Sequence, residues 1–357
     1  MFMSSGKRFR SDFVDRPRRI FIIGNFKDES AQSIRIERRR WPKGFIRLGH
    51  DVQRFSYRNI MQQESFIKSK RFAVRFAKKS ADKVLSEQLR AYCPDIVLVL
   101  NPKDLDCESV RAMRKAASDA VFVARDNEPF PHTHPERLAL CAQMDIVLCS
   151  SPEEFLEPYR QAGAKRCFFL PNPCDPDIQR PYDVEDKWKS DIMFAGKLGH
   201  ENLSGDPDRY ELLRRLSKTS GAKLYGCFGH PKIDGIEVFY AISGAKIALS
   251  INIVNNVRLY HSDRLINCIS CGTFTLAKKV PGSELLFEDN VHLRYFDTAD
   301  EFFELADWYL RHDKEREKIA RAGMERAHQE FNCTKMARRM LEILQNENCH
   351  DPYAQKI

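Results

Sequence analysis

The sequence predicts an α/β protein of two Rossmann-like, doubly wound domains. Three observations carry that prediction. Short, continuous β-branched runs alternate with helical patterns, as in a parallel sheet covered on both faces. A proline-rich stretch interrupts the alternation near the middle, and the alternation then resumes over a similar length. With 357 residues, 43% of them hydrophobic and 30% charged, the composition is globular and the length suits two cores.

Six strand-like runs open the chain: RIFIIG (19–24), DVQRFSY (51–57), DIVLVL (95–100), AVFVA (120–124), DIVLCS (145–150) and CFFL (167–170). Helical patterns separate them over 34–48, 65–90, 106–118, 135–143 and 152–162. PNPCDPDIQRPYDVEDKW (171–188) then holds four prolines and no apolar period, which reads as a linker. The second series is DIMFAG (191–196), a helix over 207–219, AKLYGC (222–227), AKIALSI (245–251), a helix over 262–271, TFTLA (273–277) and HLRYF (292–296). After it the chain is helical, entered through the Asp/Thr caps of FDTADEFFELADWYLR. These breaks set expected domains of 1–180 and 181–332, with a last helix in 333–357.

Composition narrows the function classes. No window approaches the roughly 18 apolar residues of a membrane span, and the basic start has no apolar core of a secretory signal. The expected location is the cytoplasm, where the eleven cysteines stay reduced. Cys268 and Cys271 form a single C-x-x-C with no second pair at zinc spacing, so they read as helix-packing residues. Residues 1–100 carry 23 Lys and Arg against 10 Asp and Glu, or +13, which leaves −5 of the net +8 for the rest. A basic first third implies an anionic partner, whether a membrane surface, a charged glycan or nucleic acid.

Open α/β sheets bind ligands at the carboxyl ends of their strands, so candidate residues are sought there. Gly24 and Asn25 end the first strand, where a tight turn would bring backbone N–H groups close to a ligand, and no G-x-G-x-x-G follows to suggest a dinucleotide. The fourth strand delivers Asp126, with His132 and His134 beyond it; Asp126 is a candidate base for an attacking hydroxyl and His132 its competitor. Trp41, amid basic residues, is a candidate contact for a glycan or membrane. In the second half Gly196 allows close backbone approach and Lys197 sets a cation at a strand end. Arg264 and Asn267 share a helix face, where one grips phosphate and the other bonds sugar hydroxyls, and Gly272 permits the exit into the next strand. Two alternatives stay open. Asp104-Leu105-Asp106 offers a D-x-D motif for a metal-dependent transferase, and KSKRFAVRFAKKSADK (68–83) offers a basic, Phe-bearing face for nucleic acid.

DRLINCISCGTFTLAKKVPGSELLF, followed by a YLRHDKEREKIARAGMERA tail, resembles the C-terminal domain of GT-B glycosyltransferases, closest to the CgeB-like branch related to family 4. IGNFKDES, WPKGFIRLGHDV and EEFLEPYRQAGAKRCFFLPNPCDP are similar to that family's first domain. The resemblance implies two domains facing across a cleft, a nucleotide-diphosphate sugar as donor substrate, and no cofactor or metal. It also implies a final helix crossing back to the first domain. By the same resemblance Lys197 and Arg264 meet the diphosphate, Asn267 stands where many members place a ribose-binding glutamate, and His292 lies near a second polar position. The acceptor implied is anionic or membrane-associated, with attachment to the inner membrane face compatible, and a nucleic-acid acceptor remains open.

Overall fold

A computed structural model describes residues 16–26, 37–63, 70–100, 102, 105–127, 135–152, 155–198 and 207–345. The strands are β1 (Arg19–Gly24), β2 (Asp51–Ser56), β3 (Ile96–Leu100), β4 (Val121–Asp126), β5 (Ile146–Cys149), β6 (Cys167–Phe169), β7 (Ser190–Ala195), β8 (Ala222–Tyr225), β9 (Ala245–Ser250), β10 (Phe274–Lys278) and β11 (Arg294–Phe296). The helices are α1 (Glu37–Arg47), α2 (Tyr57–Gln63), α3 (Lys70–Tyr92), α4 (Cys107–Ala116), α5 (Pro135–Ala142), α6 (Glu157–Gln161), α7 (Pro207–Leu216), α8 (Ile236–Ser243), α9 (Asp263–Ser270), α10 (Ala299–Arg311), α11 (Asp313–Glu330) and α12 (Cys333–Gln345).

Two units result. The first takes in the described residues within Met1–Lys27, Arg38–Pro171 and Thr334–Ile357; the second takes in Glu37 and the described residues within Asn172–Cys333. The first unit carries a sheet ordered β2-β1-β3-β4-β5-β6, and the second a sheet ordered β11-β10-β9-β7-β8. Every strand pairing is parallel. Ile20, Val97, Phe122 and Val147 are fully buried, as sheets covered on both faces require. Each order reverses once: between β1 and β3 in the first unit, and between β7 and β9 in the second. Connections leave such a point in opposite directions, opening a crevice at the carboxyl ends of the two strands.

The helices start where local chemistry allows. Asp106 caps α4 by accepting from the amides of Glu108 and Ser109, each at 2.9 Å. Thr298 caps α10 through the amide of Glu301 at 3.1 Å. The helix α12 buries Met336, Ala337, Met340, Leu341 and Leu344, a helical stripe that belongs to the first unit from Thr334 onward. There the Ile343 carbonyl accepts from Arg166 Nη2 at 2.7 Å.

The proline-rich stretch is built into the second unit. The amide of Cys174 donates to Phe331 O, and the amide of Cys333 donates to Cys174 O, both at 2.7 Å. Gln179 and Asp175 are completely buried. Proline removes donors but leaves carbonyls and neighbouring amides available, so composition alone gives this segment too little structure.

Candidate functional site

The switch point of the second unit collects polar groups. The neighbours β7 and β9 pair Ile192 with Ile247 and Met193 with Ala248. At their carboxyl ends sits Arg264, the second residue of α9. Its Nε donates to Ala195 O and its Nη1 to Ile251 O, each at 2.8 Å, so one guanidinium joins both strands of the switch. Its plane lies over the fully buried Phe194 ring, 4.7 Å from the centroid. Part of the residue stays accessible, but its charged end is sunk among protein atoms, and this burial pushes the guanidinium pKa down. Among the described residues no carboxylate pairs with it.

Gly196 makes the room. A Cβ there would overlap Arg264 Nη2 and lie 3.1 Å from both Arg264 Cζ and the Phe194 ring. Its amide donates to Tyr225 O at 2.9 Å, which ties the end of β7 to β8. Lys197 follows with an exposed side chain. The structure therefore brings Gly196, Lys197 and Arg264 to one strand end.

Arg209, on α7, completes this cluster and was not singled out by the sequence. It is 3% exposed and donates to Lys197 O at 2.6 Å, to Leu198 O and Asn252 O at 3.3 Å, and to Ile251 O. It also lies over Phe194, at 5.3 Å. Arg209 thus staples the loop after β7 to the loop after β9. A signal existed: Arg209 falls in line with the fully buried Leu212, Leu213 and Leu216 at i, i+3, i+4 and i+7, so a cation occupies a core stripe. The loop after β9 is shaped by Asn252, whose backbone amide donates to Asn255 Oδ1 and whose side-chain Oδ1 accepts from Ser262 N, both at 3.0 Å. That geometry presents the first turn of α9 at the crevice.

A cavity of about 320 Å³ opens beside Arg264. Met193 and Ala195 line it from β7, Val238 and Ile242 from α8, and Asp263 and Asn267 from α9. Asn267 is 8% exposed, and its Oδ1 accepts from Gln179 Nε2 at 2.8 Å. Cys268 and Cys271 pack against Met193, Phe239, Ile242 and Ala248. Burial pushes the Cys268 thiol up to about 12, as expected for an inert packing thiol. A larger groove, about 1080 Å³, runs along the amino ends of the same strands past Asp191, Gly221, Gly244 and Arg316. Its size does not outweigh its position, because doubly wound sheets bind ligands at the opposite edge.

Two expected residues belong to that amino edge. The helix α9 runs back across the sheet, so Gly272 emerges at the start of β10, with φ +71° and a Cβ position 3.1 Å from Met324 and Pro181. Gly272 serves the turn and is not with the donor-site residues. His292 lies before β11, where its Nδ1 accepts from the Glu288 amide at 3.0 Å, and burial lowers its pKa.

In the first unit, Gly24 ends β1 at the switch point, where an added Cβ would lie 3.2 Å from the Phe26 ring and 3.5 Å from Leu100 Cβ. Asn25 follows, with Oδ1 buried. Asp126 is 1% exposed and both its oxygens are engaged: Arg137 pairs with Oδ1, and Tyr159 OH donates to Oδ2 at 2.6 Å. A carboxylate so held organises the end of β4 and is poorly placed to take a proton from an incoming hydroxyl. Trp41 is 3% exposed, packs on Phe45 at 6.5 Å and lies beneath Arg125, which removes it as a surface contact. His132, His134 and Asp104 lie outside the described residues, as do the side chains of 68–76 in the basic stretch. Asp106 is committed to its cap and to Lys78 at 3.0 Å. Among the described residues no group of three His, Cys, Asp or Glu side chains is set to hold a metal ion, and no helix is long and apolar enough to cross a membrane.

Residues 209–342 match a family model described as glycosyl transferase-like. No curated protein matches the sequence. Among solved structures, the chain is similar to sucrose-phosphate synthase from Thermosynechococcus elongatus, with a TM-score of 0.62 and 13% identity over 91% of this chain and 98% of that one. It is similar to Anabaena HepE in complex with UDP-glucose, at 0.59 and 12% over 92% and 99%. A glycosyltransferase from Rickettsia africae ESF-5 gives 0.58 and 13% over 93% and 100%. At such identities the likeness is one of fold: two parallel-sheet α/β units of the GT-B kind, with most of the residues matched by the family model lying in the second.

Proposed function

We propose that the chain is a glycosyltransferase that takes a sugar from a nucleoside-diphosphate donor held by its second unit. One observation carries the reading: a guanidinium sunk at a sheet switch point, held by backbone carbonyls and paired with no carboxylate among the described residues. A buried cation is costly unless an anion completes its surroundings. Beyond the two carbonyl contacts, the remaining N–H groups of Arg264 suit phosphate oxygens in a fork. Charge grows on the diphosphate as the sugar–oxygen bond breaks, and fixed donors there stabilise that change most. Lys197 adds an ammonium at the same strand end, and the cavity beside Asn267 takes the nucleoside.

The family match over 209–342 supports the reaction class, and the HepE complex makes UDP-glucose the first donor to try. The R-x-x-N-x-x-x-C-G helix, Arg264 to Gly272, supports the CgeB-like branch. The +13 of residues 1–100 supports an anionic or membrane-associated acceptor at the first unit. Transfer in this reading draws its cationic help from guanidinium groups and needs no metal.

Turnover of UDP-, GDP-, CMP-, TDP- and ADP-sugars by wild type and Arg264→Ala tests it. At least one donor should be consumed, about 100-fold or more slowly by the variant, and equally well in EDTA. Equal rates for the two proteins would remove the site, and loss of activity in EDTA would remove the metal-free mechanism.

A further inference from the structure

Arg209 and Arg264 meet at a single carbonyl. Both donate from Nη1 to Ile251 O, and a carbonyl oxygen with two lone pairs accepts both. Both also lie over the Phe194 ring, at 5.3 and 4.7 Å from its centroid. The contacts form a closed ring of residues. Arg264 Nε reaches Ala195 O, the two Nη1 groups share Ile251 O, and Arg209 Nη2 reaches Lys197 O at 2.6 Å. The main chain from Ala195 to Lys197 closes the ring at Gly196, where an added Cβ would overlap Arg264 Nη2. Arg209 also holds Leu198 O through Nε and Asn252 O through Nη1, so all three of its nitrogens serve loop carbonyls. Those carbonyls are fixed acceptors, and only a planar fork presents N–H groups in several set directions at once.

The geometry points to Arg209 as a positioning residue of the donor site: it fixes the main chain at Lys197, and through the shared Ile251 carbonyl it couples Lys197 to Arg264. At 3% exposure Arg209 is sunk in the protein, whereas the Lys197 side chain is exposed. Lys197 therefore meets a ligand, and Arg209 sets the point from which that side chain starts. A lysine side chain samples many rotamers, and a fixed starting point narrows the volume its ammonium sweeps. What matters in Arg209 is the fork and not the charge alone. The proposal rests on the reading of the β7–β9 switch as a diphosphate site. It extends that reading from the groups that touch phosphate to the one that holds them in register.

The test uses the full chain and separates charge from geometry. Arg209→Lys keeps the charge without the fork, and Arg209→Met keeps the bulk alone. UDP, GDP, TDP and ADP are screened on wild type, and the best binder is then titrated beside its parent nucleoside. The proteins are wild type, both variants, Lys197→Ala, and the double variant of Arg209→Lys with Lys197→Ala. Both Arg209 variants should bind the diphosphate about 10-fold more weakly, with the nucleoside unaffected. In the Lys197→Ala background Arg209→Lys should cost no more than about 3-fold, because the group it positions is gone. An Arg209→Lys protein with the full preference for diphosphate overturns the proposal, since charge alone then suffices. So does an undiminished effect in Lys197→Ala, or an equal loss of diphosphate and nucleoside, which marks general damage. If neither Arg209 variant folds, arginine side-chain NMR of wild type serves, with the Arg264 signals identified by their loss in Arg264→Ala and those of Arg209 by contact with Phe194. The diphosphate should shift the Arg264 signals and leave those of Arg209 in place; an equal shift would mean ligand contact and contradict a positioning role. A wild type that binds none of the four nucleotides overturns the donor-site reading and the proposal together, whereas binding with an intact preference in Arg209→Lys overturns the proposal alone.

Discussion

At the scale of single residues, Arg264 and Gly196 act as one device. The guanidinium occupies the space a Cβ would need at 196, so Gly196→Ala should displace it without touching any ligand group directly. We expect Gly196→Ala to lose most of the donor binding that Arg264→Ala loses, with circular dichroism unchanged; a fully active Gly196→Ala protein would show that the guanidinium position is unimportant. Gly196, Lys197 and Arg264 were legible in sequence because a glycine ending an apolar run and an arginine opening a helix are local signals. Arg209 was not read, although it breaks a leucine stripe, because a charged residue there looks like surface until its helix face is known. Asp126 was misjudged for a related reason: its partners Arg137 and Tyr159 come from other elements, and only folding shows that both oxygens are taken. Asp126→Asn should therefore lower thermal stability, by about 3 kcal/mol for a broken buried pair, and calorimetric unfolding reads it directly. An unchanged melting temperature would return Asp126 to the list of candidate bases.

At the scale of elements, close packing decides which substitutions are tolerated. Gly323 on α11 lies so near His292 O that an added Cβ would overlap it, with Ile269 Cγ2 of α9 at 3.3 Å. Gly323→Ala should cost about 2 kcal/mol by overpacking, although alanine is the better helix former on an open surface. Urea unfolding checks the sign; a stabilised variant would mean that the contact yields easily. The eleven strands among the described residues follow the strand-like runs of the sequence closely, since most of these buried parallel strands announce themselves by short continuous apolar sequence. The helices α2 and α8 were missed. IEVFYAIS is short, apolar and free of a polar period, so its helicity comes from packing on β7 and β9 and leaves no mark on the sequence pattern.

At the scale of the whole molecule, the doubly wound order of both sheets places each candidate site at a reversal of strand order, and the sequence showed the alternation but not the order. The buried thiols give the fold a measurable pH response. Burial pushes Cys141 and Cys268 up to about 12, from an ordinary value of 9.0. Between those values the unfolded chain has released protons that the folded chain keeps, so stability is full below about pH 9 and falls as pH rises. Unfolding free energy should drop between neutral pH and about pH 10, less steeply in Cys268→Ala, and a flat profile would place the thiols in contact with solvent. The most direct measurement of the donor site compares a nucleoside diphosphate with its parent nucleoside by calorimetric titration into wild type and Arg264→Ala. If Arg264 holds the diphosphate, wild type prefers the diphosphate strongly and the variant binds the two almost alike. An Arg264→Ala protein that keeps the full preference would contradict a phosphate site at the β7–β9 switch.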